Sequence, residues 1–122
     1  MLKILIIDDD TEILESLKKS LERIGHKCTI INSAVKALKI YKNNVFDVVL
    51  TDIQMPGMDG VELIQCLYQY DKDVNIIVIT VLQDFELVGS KILDNVYAYF
   101  DKPINLFKLI DKLEEIEQRV KV

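Results

Sequence analysis

Short apolar runs alternate with longer stretches in which apolar residues recur every three or four positions. Lys3–Ile7 is an apolar run that reads as a strand buried on both faces. Over 11–24, Ile13, Leu14, Leu17, Leu21 and Ile24 have helical spacing, and Gly25 stands where a helix C-terminus favours glycine. Lys27–Ile31 is rich in β-branched residues and predicts a second strand. Ser33 can cap the next helix, with Ala34, Ala37, Leu38 and Tyr41 facing the core and Asn43-Asn44 breaking it. A third strand is predicted over 47–51, then a loop holding Pro56 and Gly57, then a helix over Gly60–Tyr70 capped by Asp59. The most apolar strand is predicted over 74–80, a short helix over 84–93 and a fifth strand over 96–100. Asn105 caps a last helix whose apolar face is Leu106, Leu109, Ile110, Leu113, Ile116 and Val120.

Five strands alternating with five helices predict an α/β fold, a parallel sheet with helices on both faces. The 122 residues fit one domain spanning 1–122, and half of them are hydrophobic, which excludes a disordered chain. The net charge of −5 argues against direct nucleic-acid binding and suits a cation site or a basic partner. Cys28 and Cys66 form no C-x-x-C pair and read as reduced, buried thiols. The opening apolar run is too short for a signal segment, and no run approaches the ~18 residues of a membrane span. The expected protein is soluble and cytoplasmic, with no membrane partner.

Polar residues fall at the carboxyl ends of four of the five strands. Asp8 and Asp9 follow the first, Asp52 the third and Thr80 ends the fourth, while Lys102-Pro103 follows the fifth. Taken singly, an aspartate-rich loop is a solvated turn, a threonine at a strand end does nothing and Lys-Pro is a turn. What sets these residues apart is their shared edge, because open parallel α/β sheets bind ligands outside the strand carboxyl ends at a topological switch point. If the first and third strands are neighbours there, Asp8, Asp9 and Asp52 converge. Converging carboxylates repel unless a cation joins them, and hard oxygen ligands without a His or Cys cluster suit Mg²⁺ or Mn²⁺. A carboxylate beside such an ion can be a nucleophile that forms an acyl phosphate, with Lys102 and the Thr80 hydroxyl on the remaining phosphoryl oxygens.

In that order, Ile4-Leu5-Ile6-Ile7-Asp8-Asp9-Asp10, the segment 47–60 (Asp-Val-Val-Leu-Thr-Asp-Ile-Gln-Met-Pro-Gly-Met-Asp-Gly), Ile79-Thr80 and Tyr99-Phe100-Asp101-Lys102-Pro103 resemble the receiver domain of two-component response regulators. The resemblance covers essentially the whole chain. It implies a three-layer, doubly wound (βα)5 fold of the flavodoxin-like type, with strand order 2-1-3-4-5. It implies that Asp52 accepts a phosphoryl group from a histidine kinase or a phosphotransfer protein. Asp8, Asp9, Asp52 and the Gln54 backbone carbonyl match the metal ligands of the family, Lys102 its phosphoryl-pairing lysine and Thr80 its switch hydroxyl. Tyr99 matches the aromatic that swings inward as Thr80 moves, though strand alternation alone also puts Tyr97 and Tyr99 on one face. Lys102-Pro103 is a cis peptide in the family.

Phosphorylation would then alter the face formed by the helix over 84–93, the fifth strand and the last helix. A downstream output protein or output domain would read that face, and a phosphorylation-dependent homodimer through it follows by analogy. Such a chain is a switch and not a turnover enzyme. Phe107 lies off the core stripe on this face, and Asp101 either pairs with Lys102 or meets solvent. Val81 stands where the family usually has a small residue; of the two positions that tune hydrolysis in the family, Gln54 can orient a water whereas Leu82 offers no polar help, and slow self-dephosphorylation is expected. His26 is expected at a helix terminus or in solvent, and Met55 and Met58 in loop packing. The alternatives are a degenerate receiver that docks without phosphate, an aspartate-nucleophile phosphatase of the haloacid dehalogenase type, and a flavodoxin-like cofactor binder. For the phosphatase, Thr11 comes one position too early and there is no room for a cap. For the cofactor binder, carboxylates stand where a phosphate-cradling loop is needed.

Overall fold

Alternate residues of the first strand serve opposite halves of the core, which explains its unbroken apolar run. In the computed structural model, which describes residues 1–54, 60–81 and 95–120, Ile4 and Ile6 face one layer of helices while Leu5 and Ile7 face the other. The elements are β1 (Lys3–Ile7), α1 (Thr11–Arg23), β2 (Lys27–Ile31), α2 (Ala34–Asn43), β3 (Val48–Thr51), α3 (Gly60–Tyr70), β4 (Ile76–Thr80), β5 (Ala98–Asp101) and α4 (Leu106–Val120). All neighbouring strands pair in parallel, in the order β2-β1-β3-β4-β5. The expected flavodoxin-like sheet is therefore present. Pro56, Gly57, the Asp59 cap, Met55, Met58, Leu82 and the helix over 84–93 lie outside the described residues.

The apolar face of α1 (Leu14, Leu17, Leu21) and that of α4 (Leu109, Leu113, Ile116) pack with Ile4, Ile6, Leu50, Ile77 and Ile79 on one side of the sheet. On the other side, Ala34, Ala37 and Tyr41 of α2 and Leu63, Ile64 and Leu67 of α3 pack with Leu5, Val49, Ile76 and Val78. Full burial of one such leucine or isoleucine contributes roughly 1.5–3 kcal/mol, so these two layers hold the sheet flanked on both faces.

Local chemistry sets the helix ends. Asp10 caps α1, its carboxylate accepting from the Glu12 and Ile13 N–H groups at 3.0 and 3.4 Å. Gly25, at φ 101°, closes the other end. Its N–H donates to the Glu22 carbonyl and that of His26 to the Leu21 carbonyl, the paired bonds of a left-handed glycine cap. Ser33 and Asn105 cap α2 and α4 as expected.

Several expectations shift. Ile24 is the C-cap residue of α1 and is exposed, because the chain leaves the helix before that position turns inward. β3 begins one residue late, at Val48, where Asp47 turns its carboxylate to the Lys3 N–H at 2.7 Å. β4 begins at Ile76 because Val74 is still held in a turn, its N–H bonded to the Asp71 carbonyl. Cys28 is buried, with its thiol pushed up to about 11 chiefly by burial, whereas Cys66 is only half-buried. Of the two places expected for His26, the structure gives the helix terminus, where its N–H bonds the Leu21 carbonyl, and not solvent, since the residue is buried and its Nδ1 accepts the Leu2 N–H at 3.0 Å. Among the described residues, no helix is long and apolar enough to cross a membrane.

Candidate functional site

Strand register brings the site together. Ile7 stands opposite Thr51, so β1 and β3 end level and their chains leave the sheet side by side with Asp8 and Asp52. β4 and β5 end level too, with Thr80 opposite Asp101 and Lys102 following. Lys102 is also tied by its main chain, its N–H donating to the Thr80 carbonyl at 2.8 Å. The Lys102-Pro103 peptide is cis.

The Asp52 carboxylate lies at the centre and is 6% exposed. Its Oδ1 accepts from the Ile53 N–H at 2.6 Å, the Gln54 N–H at 3.2 Å and the Thr80 hydroxyl at 2.7 Å. Its Oδ2 takes the Lys102 ammonium at 2.7 Å. The same ammonium reaches Asp8 Oδ2 at 2.9 Å, while Asp8 Oδ1 accepts the Asp10 N–H at 2.9 Å. Oxygens of Asp8, Asp9 and Asp52 all lie within 4.8 Å of one another, with Asp9 exposed and the other two buried. Three clustered carboxylates against one ammonium, which pairs with two of them, leave a negative excess, and the donor set is all hard oxygen. That set fits a small divalent cation such as Mg²⁺.

Electrostatics agree with this shape. Burial pushes the Asp8 carboxyl above the usual carboxylate range, and the nearby Asp52 charge adds to it, against the pull of the Asp10 N–H and Lys102. Burial works against the charge on Lys102, yet hydrogen bonds and attraction from Asp52 and Asp8 hold it above the usual lysine value.

The structure thus brings Asp8, Asp9, Asp52, Thr80 and Lys102 together. Gln54 is exposed and turns its N–H to Asp52. Tyr99 stands apart, 54% exposed on β5, and Asp101 is exposed while Lys102 engages Asp8 and Asp52. Val81 is 38% exposed beside Thr80, and Phe107 is 81% exposed on α4.

Two residues not singled out from the sequence shape the loop that carries Asp52. Gly60 opens α3 directly against the chain leaving β3. A Cβ there would collide with the Asp52 carbonyl oxygen and lie 2.5 Å from Ile53 Cα, and the Gly60 N–H donates to the Ile53 carbonyl at 2.6 Å. Thr51, fully buried at the end of β3, donates its hydroxyl to the Asp52 carbonyl at 2.9 Å. Both belong to the segment 47–60, whose motif hid their separate physical roles.

Comparison with known proteins gives the same picture. The family model described as response regulator receiver domain matches residues 4–114. The chain is 28% identical over 116 residues to the C4-dicarboxylate transport transcriptional regulatory protein DctD of Rhizobium meliloti (strain 1021), covering 95% of this chain and 25% of that protein. It therefore spans about a quarter of the length of that relative. The crystal structure of a response regulator receiver domain protein from Clostridium thermocellum is similar at a TM-score of 0.90 and 27% identity, over 99% of this chain and 98% of that one. The response regulator TrrA of Thermotoga maritima in complex with Mg²⁺-BeF is similar at a TM-score of 0.86 and 28% identity, over 95% and 99% of the two chains. TrrA in complex with the histidine kinase ThkA matches at a TM-score of 0.85, 28% identity and 95% and 98% coverage.

Proposed function

The chain belongs to the response regulator receiver family, and on that premise we propose that it is a phosphoryl-operated switch with Asp52 as the acceptor. The observation that carries this reading is the Asp52 carboxylate held between the Lys102 ammonium at 2.7 Å and the Thr80 hydroxyl at 2.7 Å, beside two further acidic residues. The donor is a phosphohistidine on a histidine kinase or a phosphotransfer protein. An Asp52 oxygen attacks phosphorus, a P–O bond forms as the P–N bond breaks, and the leaving imidazole keeps the electron pair and takes up a proton. Asp8, Asp9, Asp52 and the Gln54 carbonyl would hold Mg²⁺, or Mn²⁺ in its place, which when bound neutralises charge on the transferring phosphoryl oxygens. Lys102 then pairs with the product phosphoryl group, and Thr80 turns its hydroxyl from the carboxylate to a phosphoryl oxygen.

A groove of about 510 Å³ opens beside Lys102, lined by Ile13 and Leu17 of α1 and by Pro103 and Ile104. It leaves room for a donor protein to approach, and a histidine kinase is a fitting donor because the similar TrrA is found in complex with the histidine kinase ThkA. The output is conformational, not catalytic turnover. Movement of Thr80 lets Tyr99 swing inward, and a downstream output protein or output domain, or a second copy in a phosphorylation-dependent homodimer, reads the changed face that carries Tyr99 and Phe107. Free thiols suit a cytoplasmic setting. The competing reading, a receiver that docks without phosphate, would leave the acidic cluster and Lys102 without a purpose.

Intact-mass spectrometry after incubation with Mg²⁺ and a small acyl-phosphate donor tests the proposal. One added phosphoryl group is expected, absent without Mg²⁺ and absent in Asp52→Asn. Failure with both the small donor and a phosphorylated histidine kinase would move the chain to the docking class.

A further inference from the structure

We propose that Thr51 is a positioning residue for the Asp52 carboxylate, acting through the peptide plane between residues 52 and 53. The inference rests on Asp52 being the phosphoryl acceptor.

The carbonyl of that peptide accepts the Thr51 hydroxyl at 2.9 Å, and its N–H, from Ile53, donates to Asp52 Oδ1 at 2.6 Å. A trans peptide is a rigid plane with its C=O and N–H pointing in opposite directions. Fixing the carbonyl therefore aims the N–H. On the carbonyl side, Gly60 packs so closely that no Cβ fits, and the next carbonyl, that of Ile53, is held by the Gly60 N–H at 2.6 Å. On the N–H side is the acceptor oxygen, which also takes the Thr80 hydroxyl. The Thr51 hydroxyl thus stands on one end of a lever whose other end grips the reacting carboxylate.

Strand placement gives Thr51 this position. It ends β3 between Ile7 of β1 and Val78 of β4, fully buried, on the same face as Val49 and so on the side of α2 and α3. Its hydroxyl cannot turn to water, and the Asp52 carbonyl lies beyond the last β3 residue. Without the hydroxyl, the carbonyl loses a donor in a buried place and the plane gains freedom to rotate. The Ile53 N–H then slackens from Oδ1, and the acceptor keeps only looser geometry for in-line attack.

Valine matches the shape of threonine without the donor, whereas serine keeps the donor and loses a methyl group. The experiment compares the full chain with Thr51→Val and Thr51→Ser, reading the Ile53 amide proton shift, the rate of phosphoryl uptake from a small acyl phosphate at saturating Mg²⁺, and the thermal midpoint. In Thr51→Val the Ile53 amide is expected to move upfield, away from the shift of a short bond to a carboxylate, and uptake to slow about tenfold. Thr51→Ser is expected to restore both, although it also loses packing. Unchanged Ile53 shift and uptake in Thr51→Val, or no rescue by serine, would overturn the proposal. Should Thr51→Val fail to fold, Thr51→Ala against Thr51→Ser supplies the same contrast. If the wild-type chain takes up no phosphoryl group from the small donor or from a phosphorylated histidine kinase, the acceptor reading fails, and the Ile53 shift still decides whether Thr51 aims the carboxylate.

Discussion

A neutral imidazole is built into the base of the sheet. His26 Nδ1 accepts the buried Leu2 N–H at 3.0 Å, so that nitrogen carries no proton in the folded chain. Burial holds the His26 pKa below its usual value, while Glu117 pulls it up and the Met1 ammonium, itself paired with Glu117 at 2.6 Å, pushes it down. The sign follows from linkage. Below the usual histidine value of about 6.5, the unfolded chain takes up a proton that the native ring resists, so stability falls as pH drops towards the folded pKa. The slope from this residue is at most ~1.4 kcal/mol per pH unit. Urea midpoints should fall between pH 7 and pH 5 in the wild type, and more shallowly in His26→Asn, whose amide oxygen can accept the Leu2 N–H without titrating there. Equal slopes in the two proteins would contradict this account.

Elements present two faces, and substitutions on them should separate cleanly. In α4, Leu113 is fully buried against the sheet, whereas Phe107 is 81% exposed. Leu113→Ala should cost ~2–5 kcal/mol through the lost apolar contact and the cavity left behind. Phe107→Ala should change stability by less than ~0.5 kcal/mol while weakening any partner that reads this face. Denaturant titration beside a binding assay checks both, and intact partner binding in Phe107→Ala would remove that residue from the output surface. The first turn of α3 is different in kind, because Gly60 lies against the main chain of Asp52 and Ile53. Gly60→Ala must push the helix off the acceptor loop. The expected cost is on the order of 2 kcal/mol, with phosphoryl uptake from a small donor reduced more than in a surface helix control.

The whole molecule is a sheet that delivers acidic residues from two neighbouring strands, and a lysine from a third, to one edge. That edge carries a negative excess, so Mg²⁺ should stabilise the folded chain. At a free concentration of about a hundred times the dissociation constant the gain is ~2.7 kcal/mol, which Asp9→Ala should reduce and a thermal shift series would record. Much of this plan was legible beforehand. The apolar runs of β1, β3 and β4, the helical stripes of α1 and α4 and the glycine cap after α1 are local patterns, and local patterns are carried by neighbouring residues. The aspartates, Thr80 and Lys102 were legible because each follows or ends an apolar strand. The Asp10 cap is just as local, but it was hidden inside an aspartate run read as part of the site. The same route could not reveal that His26 is buried or that Ile24 is exposed, since those depend on where the chain turns and what packs over it. Residue order alone therefore determined which of the described elements form and brought Asp8, Asp9, Asp52, Thr80 and Lys102 to the functional edge. Only the tertiary structure decided what each of those residues touches. Strand register sets Lys102 between Asp8 and Asp52, residues distant in sequence, and the approach of α3 turns Gly60 and Thr51 into supports of one peptide plane.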